Sequence, residues 1–170
     1  MATPIHRLRL DTIVAELIAA DARRVVDLGC GQGELLQWLR AHERFTGLYG
    51  IDIDGRALAR AREVLGIDLT RPDDRLHVAL GSFEEGDWRM PPVDAAVMLE
   101  TIEHVDPGRL PRVEEAVFGR LRPRLLLITT PNREYNHLHG MKVRQRRHPR
   151  HRLEWTRAQV RQWGEEGASR

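Results

Sequence analysis

Hydrophobic positions along this chain recur with two alternating periods, regular enough to draft an architecture. Thr3-Pro4 is a helix start with proline in the first turn, and Leu8, Ile13, Leu17 and Ile18 give the helix after it an apolar stripe. Residues 25–28 read as a short buried strand and 34–41 as a helix. The cycle continues with a strand at 48–52, a helix at 55–65, strands at 76–80 and 95–99, a helix around 109–121 and a strand at 125–129. By periodicity alone Leu125-Leu126-Leu127-Ile128 is equally a buried helix; Pro123 before it and Pro131 after it favour the strand. Residues 131–155 are polar, basic and histidine-rich, and an irregular stretch of that length is usually functional or disordered. A last helix is predicted over 156–164. Strands alternating with helices, with no internal repeat, predict an α/β fold: a parallel sheet with helices on both faces.

Composition narrows the setting. A chain of 170 residues suits one domain, 1–170, with an N-terminal helix in 1–22, a core in 23–130 and a polar terminal segment in 131–170. Hydrophobic residues at 41% and charged residues at 31% exclude a disordered chain. No apolar run approaches the ~20 residues that cross a bilayer. The first ten residues carry His6, Arg7 and Arg9 among apolar ones and lack the long apolar stretch of a secretion signal. The expectation is a cytoplasmic protein with no membrane partner. Cys30 is the single cysteine, so no internal disulfide forms. Within a glycine-rich loop it is either a reactive thiol or a small side chain packed beneath a tight turn.

Formal charge is only +2, yet Lys142, Arg144, Arg146, Arg147, Arg150, Arg152, Arg157 and Arg161 crowd one stretch opposed by Glu154 alone. Such a stretch can hold a polyanion. Lys142 is the only lysine in the chain, however, so arginine is the default base throughout and charge by itself does not decide for RNA.

The first strand runs into Asp27-Leu28-Gly29-Cys30-Gly31-Gln32-Gly33. Glycines there let the backbone turn sharply and let a ligand approach without a Cβ between them, at the strand ends where open parallel sheets bind ligands. The spacing is G-x-G-x-G; a dinucleotide fingerprint needs glycine where Glu34 stands. Asp27 puts an anion at the entrance, which suits a cationic sulfonium better than a pyrophosphate. Asp52, nineteen residues after Gly33, ends the second strand and can accept both hydroxyls of an adenosine ribose. Together these features resemble the class I methyltransferases, a Rossmann-like fold that binds S-adenosylmethionine through Asp27, Gly29, Gly31 and Asp52. The same resemblance implies that Ser82 and Phe83, after the third strand, hold the adenine.

After the fourth strand comes Glu100-Thr101-Ile102-Glu103-His104. If a helical turn starts there, two carboxylates and an imidazole share one face; a solvated acidic helix start is an equally good reading. Downstream lie Thr130-Pro131-Asn132-Arg133-Glu134-Tyr135-Asn136 and His151-Arg152-Leu153-Glu154-Trp155-Thr156-Arg157. The motifs E-x-x-E-H, T-P-N-x-E-Y-N and H-x-x-E-W-T-R, in this order, resemble the HEN family of small-RNA 3′-terminal 2′-O-methyltransferases from about residue 20 to residue 163. The resemblance implies a divalent metal, manganese preferred and magnesium an alternative, on Glu100, Glu103, His104 and His151. These four are the expected catalytic residues. His151 rather than His148 holds the position directly ahead of x-x-E-W. His137, His139 and His148 are read as surface or RNA-contacting residues.

Two carboxylates and two imidazoles suit Mn²⁺, and Mg²⁺ prefers oxygen. Open positions on such an ion can take the 2′- and 3′-oxygens of a terminal ribose. His104 is also a candidate proton acceptor. The basic segment then gains a role: Asn132, Arg144, Arg146, Arg147, Arg150 and Arg152 are the expected RNA contacts. Trp155 either stacks on a base or anchors the last helix in the core.

Three departures qualify the resemblance. Arg150 stands where an aspartate is common, and that aspartate would orient the imidazole, so weaker metal binding is expected. Leu153 replaces a usual phenylalanine. Class I methyltransferases normally add an antiparallel β-hairpin after the last helix; this sequence lacks one, so the fifth strand is expected to be a bare edge, open to a homo-oligomer. Bacterial members of the family often work with an RNA-repair protein, which is the other partner implied besides the RNA 3′ end. The competing functions are a small-molecule methyltransferase and a non-catalytic relic that binds RNA or cofactor.

Overall fold

A computed structural model describes residues 3–67, 73–86, 88–142 and 145–169. The expected RNA contact Arg144 lies outside them. Five strands form one parallel sheet: β1 (Arg24–Leu28), β2 (Gly47–Asp52), β3 (Leu76–Leu80), β4 (Ala95–Leu99) and β5 (Leu125–Thr129), in the order β3-β2-β1-β4-β5. The order reverses between β1 and β4, and the carboxyl ends of those two strands carry the glycine turn and the Glu-rich turn. The sheet topology therefore builds a ligand cleft where the two meet.

Alternation along the strands divides the core. Val25, Leu48, Leu76, Ala95 and Val97 pack under helices α1 (Pro4–Ala19), α2 (Glu34–Arg40) and α3 (Gly55–Leu65). Val26, Leu28, Ile51, Ala96 and Met98 face the other way, toward α4 (Leu110–Glu114) and α5 (Arg157–Ala168). Removing each large side chain of this kind from water contributes ~1.5–3 kcal/mol.

The stripe of α1 differs from the expected one. Leu10, Ile13, Val14 and Leu17 are buried, whereas Leu8 is 64% exposed. The buried set follows the i, i+3, i+4, i+7 spacing of one helix face, and Leu8 falls off it. Helix α4 widens into a π-helical stretch over Glu115–Leu121 and ends at Arg122 in the left-handed region (φ +50). Helix α5 begins at the expected place. Thr156 and Gln159 form a reciprocal capping box. It runs past Gly164 to Ala168 because Gly167 is a packing residue: an added Cβ would lie 2.2 Å from the Phe118 ring.

Strand β5 pairs with β4 alone among the described residues, and all five of its residues are half-buried. No described helix is long and apolar enough to cross a membrane.

Candidate functional site

The glycine turn is held by backbone. The N–H groups of Gly29 and Cys30 both donate to the carbonyl of Ile51, at 2.8 and 3.0 Å. Gly31 donates its N–H to Asp52 Oδ2 at 2.8 Å, and Asp54 donates to Oδ1 at 2.8 Å, so the Asp52 carboxylate is aimed by the turn it serves. Gly29 has φ +87, and a Cβ there would lie 2.3 Å from Thr101 Cγ2. Gly31 has φ +51 with nothing within 4 Å of its Cβ position, an open approach for a ligand.

Asp27 is 2% exposed and its Oδ1 has no hydrogen-bond partner. Burial first, and then the charge of Asp52, push its carboxyl up to about 7. A buried, unpartnered carboxylate oxygen is costly unless a donor or a cation meets it, and an aminoacyl sulfonium supplies both. Cys30 is buried beneath the turn and its thiol is pushed up by burial and by Asp27 and Asp52, which excludes the reactive-thiol reading.

Phe83 lies 3.7 Å from the Cβ position of Gly29 and walls the turn. Ser82 accepts the Glu84 N–H on its hydroxyl at 3.2 Å and the Trp88 indole N–H on its carbonyl at 3.0 Å. The sequence reading missed Ile53 and Leu80, which are 72% and 69% exposed. They stand at the carboxyl ends of β2 and β3, where Asp52 pairs with Leu80. The sequence marks only an isoleucine directly after a strand-ending aspartate; that it is left in water shows only in the fold.

The second cluster sits on the other side of the strand-order reversal. Ligand atoms of Glu103, His104 and His151 all lie within 4.8 Å of one another. Glu103 is 1% exposed, and Thr130 donates its hydroxyl to Glu103 Oε2 at 3.1 Å. Burial above all, with the Glu100 charge adding to it, pushes the Glu103 carboxyl up to about 7. The N–H groups of Arg152 and Leu153 donate to the Glu103 carbonyl at 2.7 and 3.1 Å, which staples the histidine-rich segment to this turn.

Both imidazoles are held by Nδ1. His104 Nδ1 lies 3.3 Å from the carbonyl of Arg150 and His151 Nδ1 lies 2.8 Å from Glu154 Oε1. That arrangement leaves Nε2 of each ring for an ion. Burial, the largest cause, lowers the His104 pKa. At Glu154, burial raises the carboxyl pKa, but hydrogen bonds from His151, Asn136 and Arg147 outweigh it and hold the group below the usual range.

Glu100 is not part of the triad. It has φ +52, its N–H donates to the Thr129 carbonyl at 2.9 Å, and its Oε2 lies 3.4 Å from Arg9 Nη1. The residue still belongs to the end of the ladder, so the helical turn starts only at Ile102 and covers Ile102–His104. The single-face helix expected from Glu100 onward does not form. Its other carboxylate oxygen, Oε1, is buried without a partner.

The expected RNA contacts divide. Arg146, Arg150 and Arg152 are exposed, although Arg146 donates to the His151 carbonyl at 2.8 Å and Arg152 lies 3.7 Å from Asp106. Arg147 and Asn132 are turned to internal use. Asn132 caps Glu134 at 2.9 Å, and Arg147 donates to the Asn132 carbonyl at 2.9 Å. Trp155 packs 5.6 Å from Trp163 in the second core, the anchor reading. His148 is exposed with its ring 5.5 Å from His151; His137 and His139 are exposed.

Residues 5–166 match the family model described as a methyltransferase domain. The chain is 33% identical over 172 residues to a small RNA 2′-O-methyltransferase of Rattus norvegicus, covering 98% of this chain and 43% of that protein. The methyltransferase domain of bacterial CtHen1 is 37% identical with a TM-score of 0.79, over 95% of this chain and 83% of that one. The small RNA methyltransferase HEN1 is 30% identical with a TM-score of 0.84, over 99% of this chain and 22% of that one. The chain spans less than half the length of the first curated relatives it matches.

Proposed function

This chain belongs to the methyltransferase-domain family, alongside the Hen1 domains, and from that premise we propose that it transfers the methyl group of S-adenosylmethionine to the 2′-hydroxyl of an RNA 3′ terminus. The observation that carries the reading is adjacency. Thr101 touches the Gly29 turn and donates its hydroxyl to the Leu28 carbonyl at 3.3 Å, and two residues later Glu103 enters the His104–His151 cluster. A sulfonium site and an oxygen-activating site meet across one residue pair.

In this reading Asp52 receives the cofactor ribose, Asp27 faces the charged aminoacyl end, and Ser82, Phe83, Ile53 and Leu80 flank the adenine. Glu103, His104 and His151 hold a divalent ion, with Mn²⁺ suiting the mixed nitrogen and oxygen donors better than Mg²⁺. Glu100 contributes the free oxygen Oε1 as a fourth donor. When bound, the ion lowers the pKa of the terminal 2′-hydroxyl and fixes its oxygen. The new bond forms between that oxygen and the methyl carbon as the carbon–sulfur bond breaks. The hydroxyl proton is lost to solvent, because both nitrogens of His104 are already engaged, and S-adenosylhomocysteine leaves. Arg146, Arg150 and Arg152 lie on the same segment as His151 and meet the phosphates of the incoming strand. An internal nucleotide has its 3′-oxygen esterified and would offer such an ion a poorer pair of oxygens, so transfer is expected at ends.

The test is methyl transfer from labelled S-adenosylmethionine to a short RNA, with Mn²⁺ or with chelator, beside a matched RNA ending in a 2′-deoxynucleotide. Labelling that needs both the metal and the terminal ribose is expected. Equal labelling of the two RNAs, or labelling insensitive to chelator, overturns the proposal.

A further inference from the structure

His151 is 8% exposed, and its ring can face the cluster through only one nitrogen at a time. The carboxylate that meets its other nitrogen belongs to Glu154, three residues later, at 2.8 Å. That carboxylate is buried, with its side chain 4% exposed, and is itself surrounded by donors. Asn136 donates its amide to Oε2 at 2.7 Å, and the Arg147 backbone N–H donates to Oε1 at 2.6 Å. The Arg147 guanidinium in turn donates to Asn136 Oδ1 at 2.6 Å and to the Asn132 carbonyl at 2.9 Å. Asn132, Asn136, Arg147, His151 and Glu154 thus form one continuous network joining the two sequence motifs.

We propose that Glu154 is the positioning residue of the cluster: through Asn136 and Arg147 it is locked in one orientation, and it fixes His151 as the Nδ1–H tautomer so that Nε2 presents its lone pair to the ion. A carboxylate is an acceptor only, so the hydrogen at the His151–Glu154 contact must come from the ring. The orientation of the carboxylate is not free either, because each of its oxygens already meets a donor from another part of the segment. Outer partners of this kind set ligand geometry and basicity, and their loss typically weakens metal binding 10–100-fold.

The network also revises the expectation attached to Arg150. Its exposed side chain makes no hydrogen bond or ion pair among the described residues and acts on His104 only by its charge, while its carbonyl meets His104 Nδ1. The orienting carboxylate of His151 is present, supplied from the C-terminal side of the histidine instead of the N-terminal side.

This inference rests on the metal-site reading for its consequence, and its first readout does not need the metal. Long-range ¹H–¹⁵N spectra of the metal-free chain report which His151 nitrogen carries the proton. Nδ1–H is expected in the unaltered protein. Glu154→Gln forces an amide N–H₂ against either Asn136 or His151, and the single tautomer should be lost. Free-Mn²⁺ signals in electron paramagnetic resonance titrations should then show about 10–100-fold weaker binding for Glu154→Gln, and Glu154→Asp should recover part of it. S-adenosylmethionine affinity, which depends on the other half of the cleft, should stay within about twofold.

If Glu154→Gln does not fold, Asn136→Ala removes one brace of the carboxylate and should weaken Mn²⁺ in the same direction. An Nε2–H tautomer in the unaltered chain overturns the proposal, as does Mn²⁺ binding equal in the unaltered chain and the folded variants. Failure of the unaltered chain to bind Mn²⁺, with the Nδ1–H tautomer intact, instead overturns the metal reading and upholds the positioning of the ring.

Discussion

The two halves of the cleft are built by different means. The cofactor half is a turn whose shape is set by main chain: N–H groups of Gly29, Cys30 and Gly31 are spent on Ile51 and Asp52, and left-handed glycines fit where a side chain would collide. The cluster half has no regular frame beyond two 3₁₀ stretches, Ile102–His104 and Arg133–His139. It is held by buried side chains, Glu103, Asn136, His151 and Glu154, bonded to one another and to backbone. A main-chain site fails when geometry is blocked. A side-chain site fails one function at a time, because each member can be removed without refolding the strand ends beneath it. That difference orders the expected effects of perturbation.

The largest effect belongs to the cofactor half. Gly29→Ala combines a left-handed backbone with a 2.3 Å approach to Thr101. It should lower stability by about 1–3 kcal/mol and abolish detectable S-adenosylmethionine binding, read by thermal unfolding and calorimetric titration. Gly31→Ala has the backbone strain without the collision. It should cost less stability than Gly29→Ala while still weakening the cofactor, and equal losses in the two variants would break the distinction.

In the cluster half, Glu103→Gln should separate stability from function. Its carboxyl is pushed up to about 7, so at pH 8 the metal-free protein carries a buried charge that glutamine removes. The variant should therefore unfold at higher temperature than the unaltered chain at pH 8, show no such gain at pH 5, and lose Mn²⁺ binding. A variant less stable at pH 8 would show that Thr130 and neighbouring donors compensate the charge fully.

Asp27 gives a third effect with a definite sign. Its folded carboxyl is raised to about 7, so its protonated form adds stability fully below the ordinary carboxylate range, and that contribution is lost as pH rises through about 7. Bringing a cation beside it requires the ionised form. S-adenosylmethionine affinity should rise about tenfold from pH 6 to pH 8, and Asp27→Asn should flatten the profile. A pH-independent affinity in the unaltered chain would remove Asp27 from the cofactor's charged end.

The smallest effect is expected at Arg150. Its carbonyl holds His104 and its side chain reaches the cluster only as a nearby positive charge, so Arg150→Ala should not weaken Mn²⁺ binding and should at most tighten it slightly. It should reduce the salt dependence of RNA binding by about one unit of slope. A metal defect in this variant would restore the expectation drawn from the missing aspartate.

These contrasts also explain what could be read from residues alone. The turn at Gly29–Gly33 and the acid at Asp52 were legible because glycine spacing encodes backbone shape. The strands were legible because their apolar runs are short and end at Gly, Asp, Glu or a Thr-Thr-Pro step. The cluster was legible only as a set of motifs, through the likeness that Glu103, His104 and His151 bear to a family. Periodicity placed Glu100 on a helical face, but the β4–β5 ladder extends through its N–H and delays the turn by two residues. Charge counting could not tell Arg147, which braces Asn136, from exposed Arg146. Nor could it show that Glu154, the one acid in a basic run, is the partner of His151. The end of α5 was misplaced because Gly164 reads locally as a stop, whereas Gly167 is needed by Phe118 of the neighbouring helix.

The most direct test of the central claim is to locate the transferred methyl group. RNA labelled by this chain with Mn²⁺ present can be digested to nucleosides and resolved by mass spectrometry. The account predicts all label in the 2′-O-methyl nucleoside from the 3′ terminus, and none when Glu103→Ala or His151→Ala replaces the unaltered chain. Label on a base or on internal riboses, or label that survives those two substitutions, would contradict it.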